Sequence, residues 1–299
     1  MNRKDFLLKY TSKESSGLEI GPSHNPTASK SAGYNVEIID HTTKEGLIEK
    51  YQNDASVDTS KIEDVDYVWE GQPYKELTKK SKHYDWIIAS HVIEHTPDII
   101  RFINDCNGLL ADNGKLILAI PDYRYCFDQY RAITGLSKVI DAHLNKNVLH
   151  SAGTIAEFYL NASKRNGQVA WGENHIGHSE LLWDKNTALE QFTSAKRGEF
   201  YIDAHAWCFT PNSFRLIMHD LENLGLTELQ EVDSFTPGGS EFFCVLSRKE
   251  TTAHFDRLKV LEAIQNEIAA GRPLKRHQRT YNKWRRSIKK RFNRNNAHL

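Results

Sequence analysis

The sequence is poor in several of the residues that build common sites. Its four cysteines, Cys106, Cys126, Cys208 and Cys244, lie far apart and form no C-x-x-C pair. That excludes a zinc ribbon or a disulfide framework and fits buried, reduced thiols in a cytosolic protein. No apolar run approaches the length of a membrane span. The opening residues, MNRKDFLLKYTSK, lack the apolar stretch of a signal peptide. Glycine is missing where a dinucleotide loop would need it. In GLEIGPSHNP, residues 17–26, an apolar strand breaks at Gly21, but Pro22 to Pro26 contain neither of the two further glycines of G-x-G-x-x-G. Acid is missing from one end of the chain. From Ile268 onward there are eleven Lys/Arg and no Asp/Glu, which leaves 28 bases against all 39 acids in the remainder, a formal −11. A body of that sign does not suit a nucleic-acid surface, which spreads bases around its pocket.

The 299 residues suffice for one large domain with additions, and 39% hydrophobic with 26% charged is ordinary for a globular protein. Short apolar runs at about 18–21, 35–40, 66–69, 84–90 and 115–120 predict strands. Helix-compatible segments separate them: TKEGLIEKYQ, PYKELTKKS and TPDIIRFINDCNGLLADNG, the last expected to stop at Asp112-Asn113-Gly114. This alternation predicts a parallel sheet covered by helices. Residues 122–206 break the rhythm with aromatics, His and Asn. The rhythm resumes at Thr210-Pro211, an N-cap followed by a first helical position. Two final strands flank Thr236-Pro237-Gly238-Gly239-Ser240, a turn suited to an antiparallel hairpin. Ligands of such sheets bind outside the carboxyl ends of the strands.

Asp40 ends the second strand, where a carboxylate can accept ribose hydroxyls. The glycine-poor loop disfavours a pyrophosphate and therefore NAD; a cofactor without phosphates does not need that close approach. LEIGPSHNP, VEIIDH, YDWIIASHVIEHTPD and NGKLILAIPD, in this order and spacing, resemble the class I S-adenosylmethionine-dependent methyltransferases. The loop and ASHVIEH further resemble a bacterial branch whose members accompany glycosyltransferases of surface-polysaccharide synthesis. The resemblance covers 17–121 well and 207–248 fairly, and is absent elsewhere. It implies a Rossmann-like α/β fold, with a seven-stranded mostly parallel sheet and an antiparallel C-terminal hairpin. It implies S-adenosylmethionine as cofactor, with Glu19, Gly21, Pro22 and Ser23 at its methionine end. Asp40 would hold the ribose, Trp69, Glu70 and Gly71 would sit at the adenine, and Ser90 and His91 would face the sulfonium. With the later glycines absent, Pro22 and Asn25 must shape the turn.

The domain expected is 1–250, with 122–206 inserted as a substrate lid, followed by a basic helical tail, 251–299. Methylating a hydroxyl requires alignment and a base, and histidine suits that task near neutral pH. Two groups stand out at the sheet edge. His91-x-x-Glu94-His95 would share one helix face and could bind a divalent metal; it resembles an E-x-x-E-H that ubiquinone-pathway O-methyltransferases carry there, with His in place of the first Glu. The plainer reading is that Glu94 and His95 cap the helix or brace the insert, and no metal is assigned. Asp203-x-His205 would share one side of an extended strand, the acid orienting the imidazole. His175 and His178 in the insert are weaker candidates. The insert's aromatics (Tyr123, Tyr125, Phe127, Tyr130, Phe158, Tyr159, Trp171, Trp183) divide between a sugar-stacking lid and a small core.

The expected activity is O-methylation of a saccharide or glycolipid intermediate in the cytoplasm. The rivals are an RNA methyltransferase and a non-catalytic scaffold of the same fold. Residues 280–294 read as a helix with Tyr281, Trp284, Ile288 and Phe292 on one face, opposite Lys283, Arg286, Lys290 and Arg294. That pattern suits an anionic membrane surface.

Overall fold

The computed structural model describes residues 1–173, 175–248 and 255–271. A short helix α1 (Arg3–Leu7) precedes β1 (Gly17–Ile20), β2 (Val36–Asp40), α2 (Lys44–Tyr51), β3 (Tyr67–Val68), α3 (Tyr74–Thr78), β4 (Tyr84–Ser90), α4 (Ile99–Leu109) and β5 (Leu110–Pro121). The insert holds α5 (Leu136–Leu144), α6 (Ala152–Asn161), β6 (Ser163–Arg165), β7 (Ser179–Leu181) and α7 (Lys185–Ala195). The chain returns through α8 (Pro211–Asn223), β8 (Leu229–Phe235), β9 (Glu241–Arg248) and α9 (Arg257–Gly271).

The seven main strands run in the order β3-β2-β1-β4-β5-β9-β8. All pairs are parallel except β5 with β9 and β9 with β8. The expected mixed sheet is therefore the observed one. Its centre is buried on both faces, so side chains alternate between two cores. Ile87 and Ala89, Leu116, Leu118 and Ile120, and Phe242, Cys244 and Leu246 pack on one side with the apolar residues of α4 and α8. Trp86 and Ile88, Ile117 and Ala119, and Phe243 and Val245 pack on the other, under Phe6 and Leu7 of α1.

Helix α4 begins at Asp98, whose side chain accepts from the Arg101 amide, and buries the apolar positions read from its pattern. It ends at Leu109, short of the expected Asp112-Asn113-Gly114 stop. The chain goes straight into β5, and the triplet is absorbed there through a register shift against β4. Helix α8 has the expected Thr210 cap, closed reciprocally with Ser213, and Pro211 in its first turn.

The insert is part body and part separate. Val139 and Ala142 of α5 belong to the larger sheet-facing core. Ile155, Phe158, Ala162, Ile202 and Ala204 form a small core of their own, with Phe127, Tyr159 and Trp183 packed on it. Tyr123, Tyr125 and Trp171 are also buried, whereas Tyr130 is exposed. Beyond the sheet, α9 docks on α8: Glu267 accepts from the Asn212 amide and side chain, and Arg257 pairs with Asp220. The proposed basic helix at 280–294 lies outside the described residues. Among those described, no helix is long and apolar enough to cross a membrane.

Gly17 lets β1 lie against the Trp86 indole; a Cβ there would fall 1.9 Å from Trp86 Cζ2. Trp86 is fully buried and cannot move aside. Gly17→Ala should therefore cost about 1–3 kcal/mol in urea unfolding, the range for overpacking a core. An unchanged midpoint would remove the claim that this contact is tight.

Candidate functional site

The chain leaves β1 and β4, which are neighbours, toward opposite sides of the sheet. This opens a crevice at their carboxyl ends. Gly21 turns the chain there with φ +63°, and a Cβ on it would come within 2.9 Å of Val92 Cγ2. Two residues on, Ser23 has φ 53°. The position of the missing second glycine thus keeps a glycine-like backbone, at a cost of roughly 1–2 kcal/mol for an L-residue. The Ser23 amide donates to Asp40 Oδ2 at 2.8 Å, and its hydroxyl bonds the Tyr51 hydroxyl at 2.9 Å. The Asn25 amide closes a turn on the Pro22 carbonyl at 2.9 Å, so Pro22 and Asn25 do shape the loop.

Glu19 is only 1% exposed. Its two oxygens accept from the Thr27 and Ala28 amides at 2.7 and 3.1 Å. Burial raises its pKa against the pull of those amides. The carboxylate thus organises the loop that follows β1. Asp40 stands at the end of β2 as expected. Besides Ser23, it accepts from the His41 amide, and its Oδ1 lies 2.6 Å from His41 Nδ1.

After β3, Trp69 Nε1 donates to the Gln72 carbonyl at 2.8 Å. The Glu70 amide donates to the Gln72 side chain. Gly71 has φ +102° and open space where its Cβ would stand. After β4, the Ser90 hydroxyl accepts from Arg3 Nη2 at 2.6 Å. His91 is left-handed at φ 55°. Its Nε2 lies 2.9 Å from Glu241 Oε2 and its Nδ1 lies 3.4 Å from Glu94 Oε1. Burial opposes its charge, but Glu241 and Glu94 push its pKa up to about 9.

Beside it lies a second cluster. Glu94 is 1% exposed, and neither carboxylate oxygen has a hydrogen-bond partner. His95 Nε2 and His205 Nε2 each lie 3.9 Å from Glu94 Oε1. His95 Nδ1 is 2.7 Å from Asp203 Oδ1, and His205 Nδ1 is 2.6 Å from Asp128 Oδ2. Asp128 is in turn held by Arg131 at 2.7 Å. The Tyr201 hydroxyl lies 2.9 Å from the His95 carbonyl and 3.2 Å from Asp203 Oδ1. Against the burial, the surrounding histidines hold Glu94 below the usual carboxylate range. Asp203, with His95 as its first partner, is likewise well below it, again despite burial.

The sequence profile of the methyltransferase domain matches residues 2–222. The chain belongs to that family. No curated protein matches it. Among solved structures, the CcbJ methyltransferase of Streptomyces caelestis is 13% identical over 83% of this chain and 88% of its own, with a TM-score of 0.43. A SAM dependent methyltransferase from Aquifex aeolicus is 9% identical over 83% and 94%, with a TM-score of 0.39. The trans-methyltransferase CalH, solved with SAH, is 13% identical over 82% and 54%, with a TM-score of 0.38. At these scores the three carry no argument about acceptor or mechanism.

In the methyltransferase, Asp203 and His205 do not form the pair read from their spacing. Segment 201–208 joins no sheet, so i and i+2 are not held to one side. Asp203 orients His95, and Asp128 orients His205 instead. Glu241 and Glu94 raise the His91 pKa to about 9, which disfavours it as a proton acceptor near neutral pH. Nor do His91, Glu94 and His95 share a helix face, since Ile93–His95 is a single 3-10 turn. His175 and His178 do not join the cluster; the His178 amide bonds the Asn166 side chain. Asp128, Arg131 and Tyr201 were not legible as site residues, because nothing in a sequence links Asp128 to a partner 77 positions away. His150 was missed as well: it is 7% exposed, its Nε2 lies 3.4 Å from the Tyr201 hydroxyl, and burial lowers its pKa to about 4.

Two outcomes follow from this geometry. Asp40→Ala frees Ser23 and His41 and should weaken S-adenosylmethionine binding about tenfold or more in calorimetry, as for a lost charged hydrogen bond; equal affinity would remove Asp40 from the site. His91 is raised from about 6.5 toward 9. Its contribution to stability is complete below about pH 6.5 and disappears as pH rises through 9. The melting temperature should therefore fall from pH 7 to about 9.5, and fall less in Glu241→Gln. The effect is modest, because the imidazole is 43% exposed. Parallel profiles for the two proteins would contradict the pairing.

Proposed function

We propose that this methyltransferase methylates a hydroxyl group on a saccharide or glycolipid acceptor. The observation that carries the reading is the His205 arrangement. Asp128 binds Nδ1 and so leaves the Nε2 lone pair aimed at Glu94, at the return of the insert to the sheet edge. Such an orienter–imidazole pair is what removal of a hydroxyl proton requires. S-adenosylmethionine, when bound, supplies the electrophilic methyl group.

The chain's own residues do the rest. The loop from Gly21 to Ala28, held by Glu19 and Asp40, forms the floor of the crevice, with Trp69, Glu70 and Gly71 along one side. Gly21 lets the turn pack directly against Val92, where a Cβ would come within 2.9 Å of Cγ2. The charged His91 beside Ser90 is held by Glu241 and positions the chain leaving β4. The cluster of Glu94, His95 and His205 manages the acceptor's proton.

The acceptor class is supported by a cleft of about 290 Å³ between Ala170–Gly172 of the insert and Pro237–Glu241 of the β8–β9 turn. It is lined by the largely buried Trp171 and by Ser240 and Glu241, whose polar side chains can hydrogen-bond sugar hydroxyls. Its lining includes Glu241, the partner of His91. The resemblance of the loop to a polysaccharide-associated branch points the same way.

His205→Ala should lower turnover about 10²-fold or more while cofactor affinity stays nearly constant. Mass spectrometry of glycans and lipids from cells lacking the gene should show one saccharide-containing species without a methyl group. An unchanged glycan and glycolipid profile would overturn the acceptor class.

A further inference from the structure

Among the described residues, one group of three His, Cys, Asp or Glu side chains offers donor atoms all within 4.8 Å of one another: Glu94, His95 and His205. Its parts are arranged as a ligand set. Each histidine has Nδ1 on a carboxylate, Asp203 for His95 and Asp128 for His205. That contact fixes the tautomer with the proton on Nδ1, and it leaves both Nε2 lone pairs facing Glu94. Carboxylate–histidine pairs of this kind orient metal ligands. Asp128 is itself anchored by the buried Arg131.

The third member supplies the independent observation. Glu94 is buried to 1% exposure with both oxygens lacking a hydrogen-bond donor. A buried carboxylate without such partners is costly unless a positive charge satisfies it. His91 brings its charge beside Glu94, with Nδ1 3.4 Å from Oε1, but makes no hydrogen bond to either oxygen, and its Nε2 is committed to Glu241.

We propose that Glu94, His95 and His205 bind a divalent first-row transition ion, with Asp203 and Asp128 as positioning residues. Two imidazoles and one carboxylate suit zinc, iron, cobalt or nickel, and exclude the oxygen-only preference of magnesium and calcium. Ligands at about 2.0–2.2 Å from a tetrahedral ion lie about 3.3–3.5 Å apart. The 3.9 Å spacings of the two Nε2 atoms from Glu94 therefore require only a small closing movement. An entry side exists, since the His95 side chain is 31% exposed and Asp203 72% exposed. Three protein ligands leave at least one position open.

Binding of the ion is independent of the acceptor. What the ion does there rests on the hydroxyl-methylation reading. An acceptor oxygen at the open position becomes more acidic and releases its proton to solvent water. With the ion bound, the Asp128–His205 pair reaches the hydroxyl through the ion; without it, the same pair takes the proton directly, so the hydroxyl reading holds in either case.

The test uses full-length protein stripped with a chelator and titrated calorimetrically with Zn²⁺ alone. One equivalent should bind with micromolar or tighter affinity, and Mg²⁺ at the same concentration should give no binding. His95→Gln, at a partly exposed position, should weaken Zn²⁺ binding at least tenfold. Asp128→Asn should weaken it about 10–100-fold, the usual range for such a partner. His178→Ala should leave it unchanged. Co²⁺ in place of Zn²⁺ should produce visible ligand-field absorption that His95→Gln abolishes. If circular dichroism shows that either cluster variant is misfolded, Asp203→Asn, with its exposed side chain, replaces it with the same expected weakening. No stoichiometric Zn²⁺ binding by wild type, or equal affinity in the folded variants, would overturn the site. If wild type takes no ion yet His205→Ala still loses turnover, the ion alone is refuted and the hydroxyl reading stands.

Discussion

A carboxylate taken out of water must find donors or positive charge, and several are buried at or beside the carboxyl edge of this sheet. Glu19, Asp40, Glu94 and Asp122 are each no more than 3% exposed. Glu19 is met by two backbone amides of the cofactor loop. Asp40 is met by the Ser23 amide and by His41. Asp122 is gripped by Arg124 through two side-chain bonds. Each of these solutions fixes a piece of chain: the turn after β1, the crossover after β2 and the entry to the insert. Glu94 is the exception, surrounded by imidazoles with no hydrogen bond. The site's geometry follows largely from where these charges had to be satisfied.

The sheet was legible because its signals are local and periodic. Strands such as YDWIIAS and KLILAI are apolar at consecutive positions, as burial on both faces demands, and Thr210-Pro211 starts a helix by rules that need no tertiary context. Helix α4 shows the limit. Gly114 and its neighbours read as a stop, yet the chain runs on into β5 and carries the triplet as an irregularity between the pairs Tyr84–Leu110 and Trp86–Lys115. The loop was legible in position but not in conformation. Nothing in the letters says that Ser23 adopts φ 53°, because the donor–acceptor tie to Asp40 that holds it appears only once β1 and β2 are side by side.

The histidine cluster was half legible. His95 stood in one candidate group and Asp203 and His205 in another, and the structure brings the two groups together. Their pairing was not legible, because spacing along an extended segment predicts a shared face only where a sheet enforces it. Asp203 reaches His95, 108 positions earlier, and His205 reaches Asp128, 77 positions earlier. Both contacts depend on how the insert folds back through its own small core of Ile155, Phe158 and Ala204. The insert is therefore part of the cluster's frame: it supplies Asp128 and Asp203, which hold the ring nitrogens of His205 and His95.

The loop after β1 has one more consequence. A glycine-rich turn is loose in the free protein and must give up that freedom when its ligand arrives, a loss subtracted from the affinity. Here Pro22 and Pro26 restrict the unfolded chain, and Ser23 is locked between Asp40 and Tyr51. Thr27 and Ala28 are tied to a buried acid. Most of the ordering is thus done during folding, before any ligand is present. Binding there starts from a chain with little conformational entropy left to lose, and the folding free energy of the whole domain has already borne that cost.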